Sequence, residues 1–307
     1  MIKLPFTRRR SSGAQRAGVP NPKLDLNFPD VIARQFPDTF DLASRAANLV
    51  LSATRDADFT PLARHSPGLL GYDWAAYIRC SVIRMVNALD VLQRAGVPSG
   101  RILDYGAYFG NMALLCRLAG YDVTAADGYR EYGAVFEGCR GEMRAAGIQI
   151  VDFADVGFDL RGIAPESVDG VLALGVIEHV PHTPRPLLES LDRVLRRGGV
   201  LVLDTPNLAY LYTRERLSRG ETVFTPIEQQ YMTELPFEGH HREYTLREVR
   251  WMLERLGHRV AEIRTFSYSL YALGTLHGDD VERYRAMERD PALREIILSA
   301  SIKPTVA

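Results

Sequence analysis

The chain has 307 residues, a formal net charge of −1, 46% hydrophobic and 24% charged residues. That balance excludes the strongly basic footprint of a chain built to neutralise a nucleic-acid backbone, so no nucleic-acid partner is expected, and no window nears the roughly 18 apolar residues of a membrane span. Three widely spaced cysteines, Cys80, Cys116 and Cys139, show no Cys-x-x-Cys or Cys/His ligand spacing; this predicts no metal and fits a reducing, cytoplasmic compartment.

Residues 1–30 are rich in Pro, Arg, Ser, Gly and Asn and include Arg8-Arg9-Arg10. They read as a loosely ordered, solvated lead-in. No apolar stretch follows the arginines, so a signal peptide is not expected. Residues 38–56 have helical spacing, and the prolines and glycines of Thr60–Asp73 predict a loop. From Trp74, apolar residues recur every three or four positions until Gly96, with Pro98 beyond. That is an amphipathic helix with its stop signal.

From Arg101 short apolar runs alternate with helical ones. The predicted strands are Arg101–Tyr105, Asp122–Ala126, Ile148–Phe153, Val168–Leu174 and Val200–Asp204. The predicted helices between them are Asn111–Ala119, Arg130–Ala146 and Pro186–Arg196. This alternation implies an α/β fold with a mostly parallel sheet and helices on both faces. Leu246–Leu256 adds a helix stopped by Gly257, and strands Arg259–Ser267 and Glu295–Ile302 follow. Thr245 and Glu248 have the spacing of a helix-capping box. Residues 1–72 are expected as lead-in and helical cover, and 73–307 as the main domain, with 207–244 as an insertion on its substrate side.

The stretch "RILDYGAYFG" breaks a strand on Gly106 and Gly110 and runs at once into a helix. Such an entrance places backbone N–H groups around a ligand. A dinucleotide fingerprint counted from Gly106 needs glycines at 108 and 111; Tyr108 and Asn111 stand there, and no P-loop pattern occurs. "ILDYGAYFGNMALLCRLAGYDVTAAD" resembles the first two strands of class I S-adenosylmethionine-dependent methyltransferases. Asp104, Gly106 and Gly110 match the family's glycine motif, with Tyr108 in place of its middle glycine. Asp127 follows 23 residues after Asp104, at the position of the second-strand acid. A carboxylate there can accept two hydrogen bonds from a ribose diol. The resemblance implies a Rossmann-like seven-stranded sheet whose last strand is antiparallel, and S-adenosylmethionine as cofactor. It also implies an acid after the third strand for the adenine amino group: Asp155, 14 residues before Asp169, or Asp159.

Downstream, "SVD", "VIEHV", "RRGG", "TPN" and "GHHREYT" resemble elements of the subgroup that holds ubiquinone-biosynthesis and sugar or cell-surface O-methyltransferases. The resemblance implies methyl transfer to an oxygen, or a nitrogen, of a small molecule. A sugar or glycoconjugate precursor is preferred, with a quinone or phenolic metabolite as alternative. The candidate catalytic residues are His179 and His241. His179 is either a base, with an ordinary titration near about 6.5, or a histidine satisfied by backbone. The candidate substrate residues are Glu178, Asn207, Arg242 and Tyr244. For Asn207 a turn role competes, and for Arg242 a surface ion pair. Tyr210, Tyr212, Phe224, Tyr231 and Phe237 form either an aromatic lid or plain packing for the insertion. Two rivals stand apart. A nicotinamide-dependent oxidoreductase is opposed by Tyr108 and the terminal strand pair, and a non-catalytic binder by the retained cofactor residues.

Overall fold

A computed structural model describes residues 32–63, 65–69, 71–152, 160–269 and 279–305. The apolar runs become strands β1 (Arg101–Tyr105), β2 (Asp122–Asp127), β3 (Gln149–Asp152), β4 (Val168–Leu174), β5 (Leu195–Pro206), β6 (Arg259–Phe266) and β7 (Ile296–Ile302). They make one sheet in the order β3-β2-β1-β4-β5-β7-β6. β1 to β5 pair in parallel, and β7 runs antiparallel to both β5 and β6. The α/β, Rossmann-like reading holds, as does the antiparallel last strand. Strand order reverses between β1 and β4, and the crevice beyond the carboxyl ends of such a pair is where open α/β sheets bind ligands.

Successive residues of the central strands feed opposite faces of the sheet. Ile102, Leu172, Val200 and Val202 pack under helices α1 (Pro37–Ala53), α2 (Trp74–Arg94), α3 (Asn111–Leu118) and α4 (Glu137–Ala145). Leu103, Val171, Leu201 and Leu203 pack under α5 (Arg185–Val194) and α8 (Leu246–Arg255). Helices α6 (Leu211–Ser218) and α7 (Ile227–Tyr231) lie in the insertion, and α9 (Asp279–Arg289) precedes β7. Cys116 is fully buried, as expected of a core residue. The capping box of α8 forms: the Glu248 N–H donates to the Thr245 hydroxyl while Glu248 accepts from the Thr245 N–H at 2.8 Å.

Some boundaries move for physical reasons. The helix expected over 130–146 begins only at Glu137, because 130–136 turn so as to set Tyr132 and Phe136 against Tyr108. The helix expected to reach Arg196 ends at Val194. Leu195 leaves it to pair with Val168, and the Lys303 ammonium donates to the freed carbonyls of Asp192 and Leu195 at 2.6 and 3.0 Å. Helix α9 was not anticipated; it buries only Tyr284 and Met287, too thin a stripe to show as periodicity.

Ion pairs from Asp90 and Arg94 to Arg264 and Glu262 of β6 and a more deeply buried one from Arg84 tie α2 to the sheet. Arg84 Nε donates to Asp204 Oδ2 at 2.6 Å, and a second bond runs from its Nη2 to Oδ1. Asp204, in β5, is fully buried. Removing one partner of a buried pair strands the other charge, which costs about 3–5 kcal/mol, whereas replacing both by apolar groups costs far less. Arg84→Met should lower unfolding stability by about that amount in urea titrations, and Arg84→Met combined with Asp204→Leu should recover most of it. A single variant within about 1 kcal/mol of the parent would show that the pair does not anchor the helix.

Candidate functional site

The glycine loop is built first by the strands. At the end of β1 the N–H groups of Gly106 and Ala107 both bond to the Ala126 carbonyl, at 2.9 and 3.2 Å, bending the chain toward β2. Gly106 and Gly110 adopt φ of +74° and +78°, which side chains disfavour. A Cβ at Gly106 would lie 2.6 Å from Val176 Cγ2, and one at Gly110 would lie 2.5 Å from Met143 Sδ. Tyr108, in the middle-glycine position, also has positive φ, +49°. Its ring packs on Phe109 and Phe136 at centroid distances of 4.7 and 4.8 Å, and this apolar contact offsets the cost of its backbone. The loop is therefore walled by rings, with Trp74 and Tyr77 of α2 against Phe109 at 5.4 and 6.2 Å.

Two buried carboxylates border this cradle. Asp104 is 2% exposed, and its Oδ2 has no hydrogen-bond partner among the described residues. Burial, then the nearby Asp127 charge, pushes its carboxyl up to about 7. Asp127 accepts from the N–H groups of Tyr108 and Gly128 at 2.6 and 2.7 Å; burial raises it to about 6 against those bonds. Each Asp127 oxygen still has a lone pair for a ribose hydroxyl. A buried carboxylate with one oxygen left unpartnered suits the cationic methionine end of S-adenosylmethionine, so the residues present fit that cofactor. Asp155 and its rival Asp159 lie outside the described residues.

A second cluster forms beyond β4. The chain turns through a short 3-10 segment, Ile177–His179, and residues 237–244 return across it. The N–H groups of His241 and Arg242 donate to the Glu178 carbonyl at 2.8 and 3.4 Å. The Glu178 side chain is 2% exposed and accepts from the Thr205 hydroxyl at 3.0 Å. Desolvation pushes its carboxyl up to about 7, against the pull of His240 and Arg84. The His179 side chain is exposed, and its Nδ1 donates to the Glu238 carbonyl at 2.9 Å. Desolvation in the cleft, with His240 alongside, holds its imidazole well below the ordinary value. That direction favours the neutral ring over the imidazolium. The rings of His179 and His240 meet edge to face at 4.8 Å. His240 Nδ1 lies 3.0 Å from Glu243 Oε1. Burial opposes a charge on His240, but the Glu243 bond and the charge of Glu178 outweigh it and raise its pKa.

Of the candidate residues, the structure brings Glu178 and His179 together and separates several others. His241 turns its Nε2 to the Phe237 carbonyl at 3.1 Å and meets the Phe237 ring edge to face; the neighbouring His240 takes the place beside His179. Asn207 is 2% exposed and spends its amide on the carbonyls of Ala292 and Arg294 and the N–H of Ala209, which is the turn role. Arg242 is exposed, pairs with Glu248 at 2.5 Å and covers the Tyr244 ring. Tyr244 is buried against Ile177. The insertion's rings form no common lid: Tyr210 and Tyr212 pack together beside Asp280 and Arg283, whereas Phe224 and Tyr231 are exposed. Sequence reasoning missed Arg84, Asp204, Thr205 and Glu243. Only the His240–Glu243 spacing carried a local signal.

The model of the family described as "Methyltransferase domain" matches residues 77–263. Among curated proteins, none matches the chain. A structure from Haloferax volcanii, described as a complex of the Trm112 methyltransferase activator with a methyltransferase, shares 19% identity, with 75% of this chain and 94% of that chain covered and a TM-score of 0.51. A structure from Galdieria sulphuraria, described as a sarcosine dimethylglycine methyltransferase, shares 14% identity, with 85% and 99% covered and a TM-score of 0.51. At these identities the likeness is one of fold. No described helix is long and apolar enough to cross a membrane.

The buried state of Asp104 has a stability consequence. Its folded pKa is raised from 3.8 to about 7. The folded state therefore holds the proton more tightly than the unfolded chain, and stability falls as pH rises through that window. The loss approaches about 4 kcal/mol at roughly 1.4 kcal/mol per unit. Asp104→Asn should gain stability on the parent progressively between about pH 4 and pH 7, without cofactor, and the difference should level off above. Urea titrations across pH check this; a pH-independent difference would contradict it.

Proposed function

The chain belongs to the methyltransferase-domain family and is an S-adenosylmethionine-dependent methyltransferase, and from that premise we propose that it methylates an oxygen of a small molecule, with a sugar or glycoconjugate precursor as the preferred acceptor class. The observation that carries the oxygen reading is the cluster of Glu178, His179 and His240 at the carboxyl end of β4. An amine attacks as its neutral free base. A hydroxyl must be oriented and must lose its proton, and the His179 imidazole with a carboxylate and a second imidazole beside it serves both needs. The preference for sugars rests on the resemblance of the "TPN" and "HHREYT" elements. The rings of Trp74, Tyr77, Tyr108 and Phe109 favour a second reading, a quinone or phenolic acceptor laid against an aromatic wall.

Bound in the glycine cradle, S-adenosylmethionine supplies an electrophilic methyl on a sulfonium sulfur. Asp127 would hold its ribose and Asp104 would face its cationic end. His179 has its Nδ1 proton committed to the Glu238 carbonyl, so Nε2 keeps a lone pair to accept a hydrogen bond from the acceptor hydroxyl. Thr205 fixes Glu178, and Glu178 balances positive charge that develops on the imidazoles. The rings around Tyr108 exclude water from the cofactor side, which strengthens these interactions.

S-adenosylhomocysteine should raise the melting temperature, since it binds the native state. Asp127→Ala should weaken its binding by about 1.5–3 kcal/mol, the range for a hydrogen bond to a charged group. Calorimetry that finds the Asp127→Ala affinity unchanged would remove Asp127 from the ribose role. Gly106→Val should abolish binding by driving its side chain into Val176. With sugar and phenolic hydroxyl acceptors offered in parallel, His179→Ala should slow single-turnover methyl transfer by about 10²–10⁴-fold while cofactor affinity stays near that of the parent. Transfer within threefold of the parent would overturn the hydroxyl-handling role, as would an acceptor methylated on nitrogen.

A further inference from the structure

Three side chains of the cluster converge on one space. One ligand atom each from Glu178, His179 and His240 lies within 4.8 Å of the others. Donors bound to one ion at about 2.1 Å stand at most about 4.2 Å apart, so small side-chain rotations close the set. Among the described residues no ion pair within 4.0 Å joins Glu178 to either ring. The carboxylate and the two imidazoles are thus close to one another without being paired to one another. We infer that Glu178, His179 and His240 form a binding site for a divalent transition-metal cation.

The outer contacts of the three groups support this. A metal-binding histidine nearly always gives its other ring N–H to a carbonyl or carboxylate, which fixes the tautomer and aims the lone pair. His179 gives Nδ1–H to the Glu238 carbonyl, and His240 Nδ1 meets the Glu243 carboxylate, so each Nε2 is left for a ligand. The Thr205 hydroxyl holds Glu178 in the same manner. Two histidines and one carboxylate make a mixed nitrogen and oxygen set. Such a set suits Mn²⁺, Fe²⁺, Co²⁺ or Zn²⁺ better than Mg²⁺ or Ca²⁺, which want oxygen alone. Three protein ligands leave coordination positions open, and the His179 side chain is exposed. An acceptor oxygen fits such a position. With the ion bound, His179 Nε2 is its ligand and the ion takes over the orienting of the hydroxyl: the O–H is acidified there, its proton passes to water, and the oxygen then takes the methyl as the methyl–sulfur bond breaks and its electron pair stays on sulfur. That acceptor role rests on the oxygen reading above; the metal site itself does not.

The test reads metal binding by itself. Chelator-treated, dialysed full-length chain is titrated with Co²⁺, followed by visible d–d absorption, and with Zn²⁺ and Mn²⁺ by calorimetry. The parent should bind one equivalent. His179→Ala and His240→Ala should each lower affinity at least tenfold, and Glu243→Ala about 10–100-fold, as expected for an outer partner. His182→Ala, on the exposed turn beyond the cluster, should bind as the parent does. Melting temperature and S-adenosylhomocysteine affinity, measured on the same samples, establish that each variant is folded. Absence of one-to-one binding of all three ions by the parent overturns the site, as does parent-like affinity in both histidine variants. A failure of the oxygen reading is separate, because it appears as methylation on nitrogen with metal binding intact.

Discussion

The arrangement at the edge of this sheet depends on one buried ion pair between Arg84 and Asp204. Its partners are 120 residues apart, and it joins the middle of α2 to the carboxyl half of β5. Asp204 is shut off from water, and the guanidinium meets both of its oxygens. That pair helps hold α2 against one face of the sheet, over Ile102, Leu172, Val200 and Val202. The first turn of α2 carries Trp74 and Tyr77 to the rings of the glycine loop. Helix α1 packs behind it through Ala43, Ala46, Ala47 and Val50. The pair thus sets one wall of the cleft without lying in the cofactor cradle itself.

The opposite side of the cleft is made by backbone bonding. Residues 237–244 are pinned to the turn after β4, because the Glu178 carbonyl accepts from His241 and Arg242 while the Glu238 carbonyl accepts from His179. The two segments hold each other, and the insertion that contains residues 237–243 is placed by the same residues that shape the cluster. Val176, two residues before Glu178, lies against Gly106. The glycine loop and the cluster consequently share one short piece of chain, and a shift at either is felt at the other. Loops held this way by a rigid sheet commonly carry binding and specificity.

What was legible in the sequence was local. Parallel strands buried on both faces read as short apolar runs, and the glycine loop with its two carboxylates has a fixed spacing, so β1, β2, Asp104, Gly106, Gly110 and Asp127 could be located from residue order. The capping box at Thr245 and Glu248 is local in the same sense. The long-range parts were not legible. Arg84 looks like any polar residue on an amphipathic helix until β5 is folded beneath it. That His240 rather than the candidate His241 stands beside His179 turns on which of two adjacent side chains a returning loop points inward, and periodicity says nothing of that. Asn207 offered two readings, and the fold of residues 292–294 around its amide decides for the turn. Tyr108 looked like a departure from the glycine pattern; the rings of Phe109 and Phe136 show what compensates it.

The central claim is that the glycine cradle and the Glu178–His179–His240 cluster face one another across a single cleft. A crystal structure with S-adenosylhomocysteine tests it most directly. The account predicts the ribose on Asp127, the amino end near Asp104, and the sulfur turned toward the cluster, with room for an acceptor atom roughly 3–3.5 Å from the methyl position. A sulfur turned away from Glu178 and the two histidines, or a ligand bound outside the cradle, would contradict it.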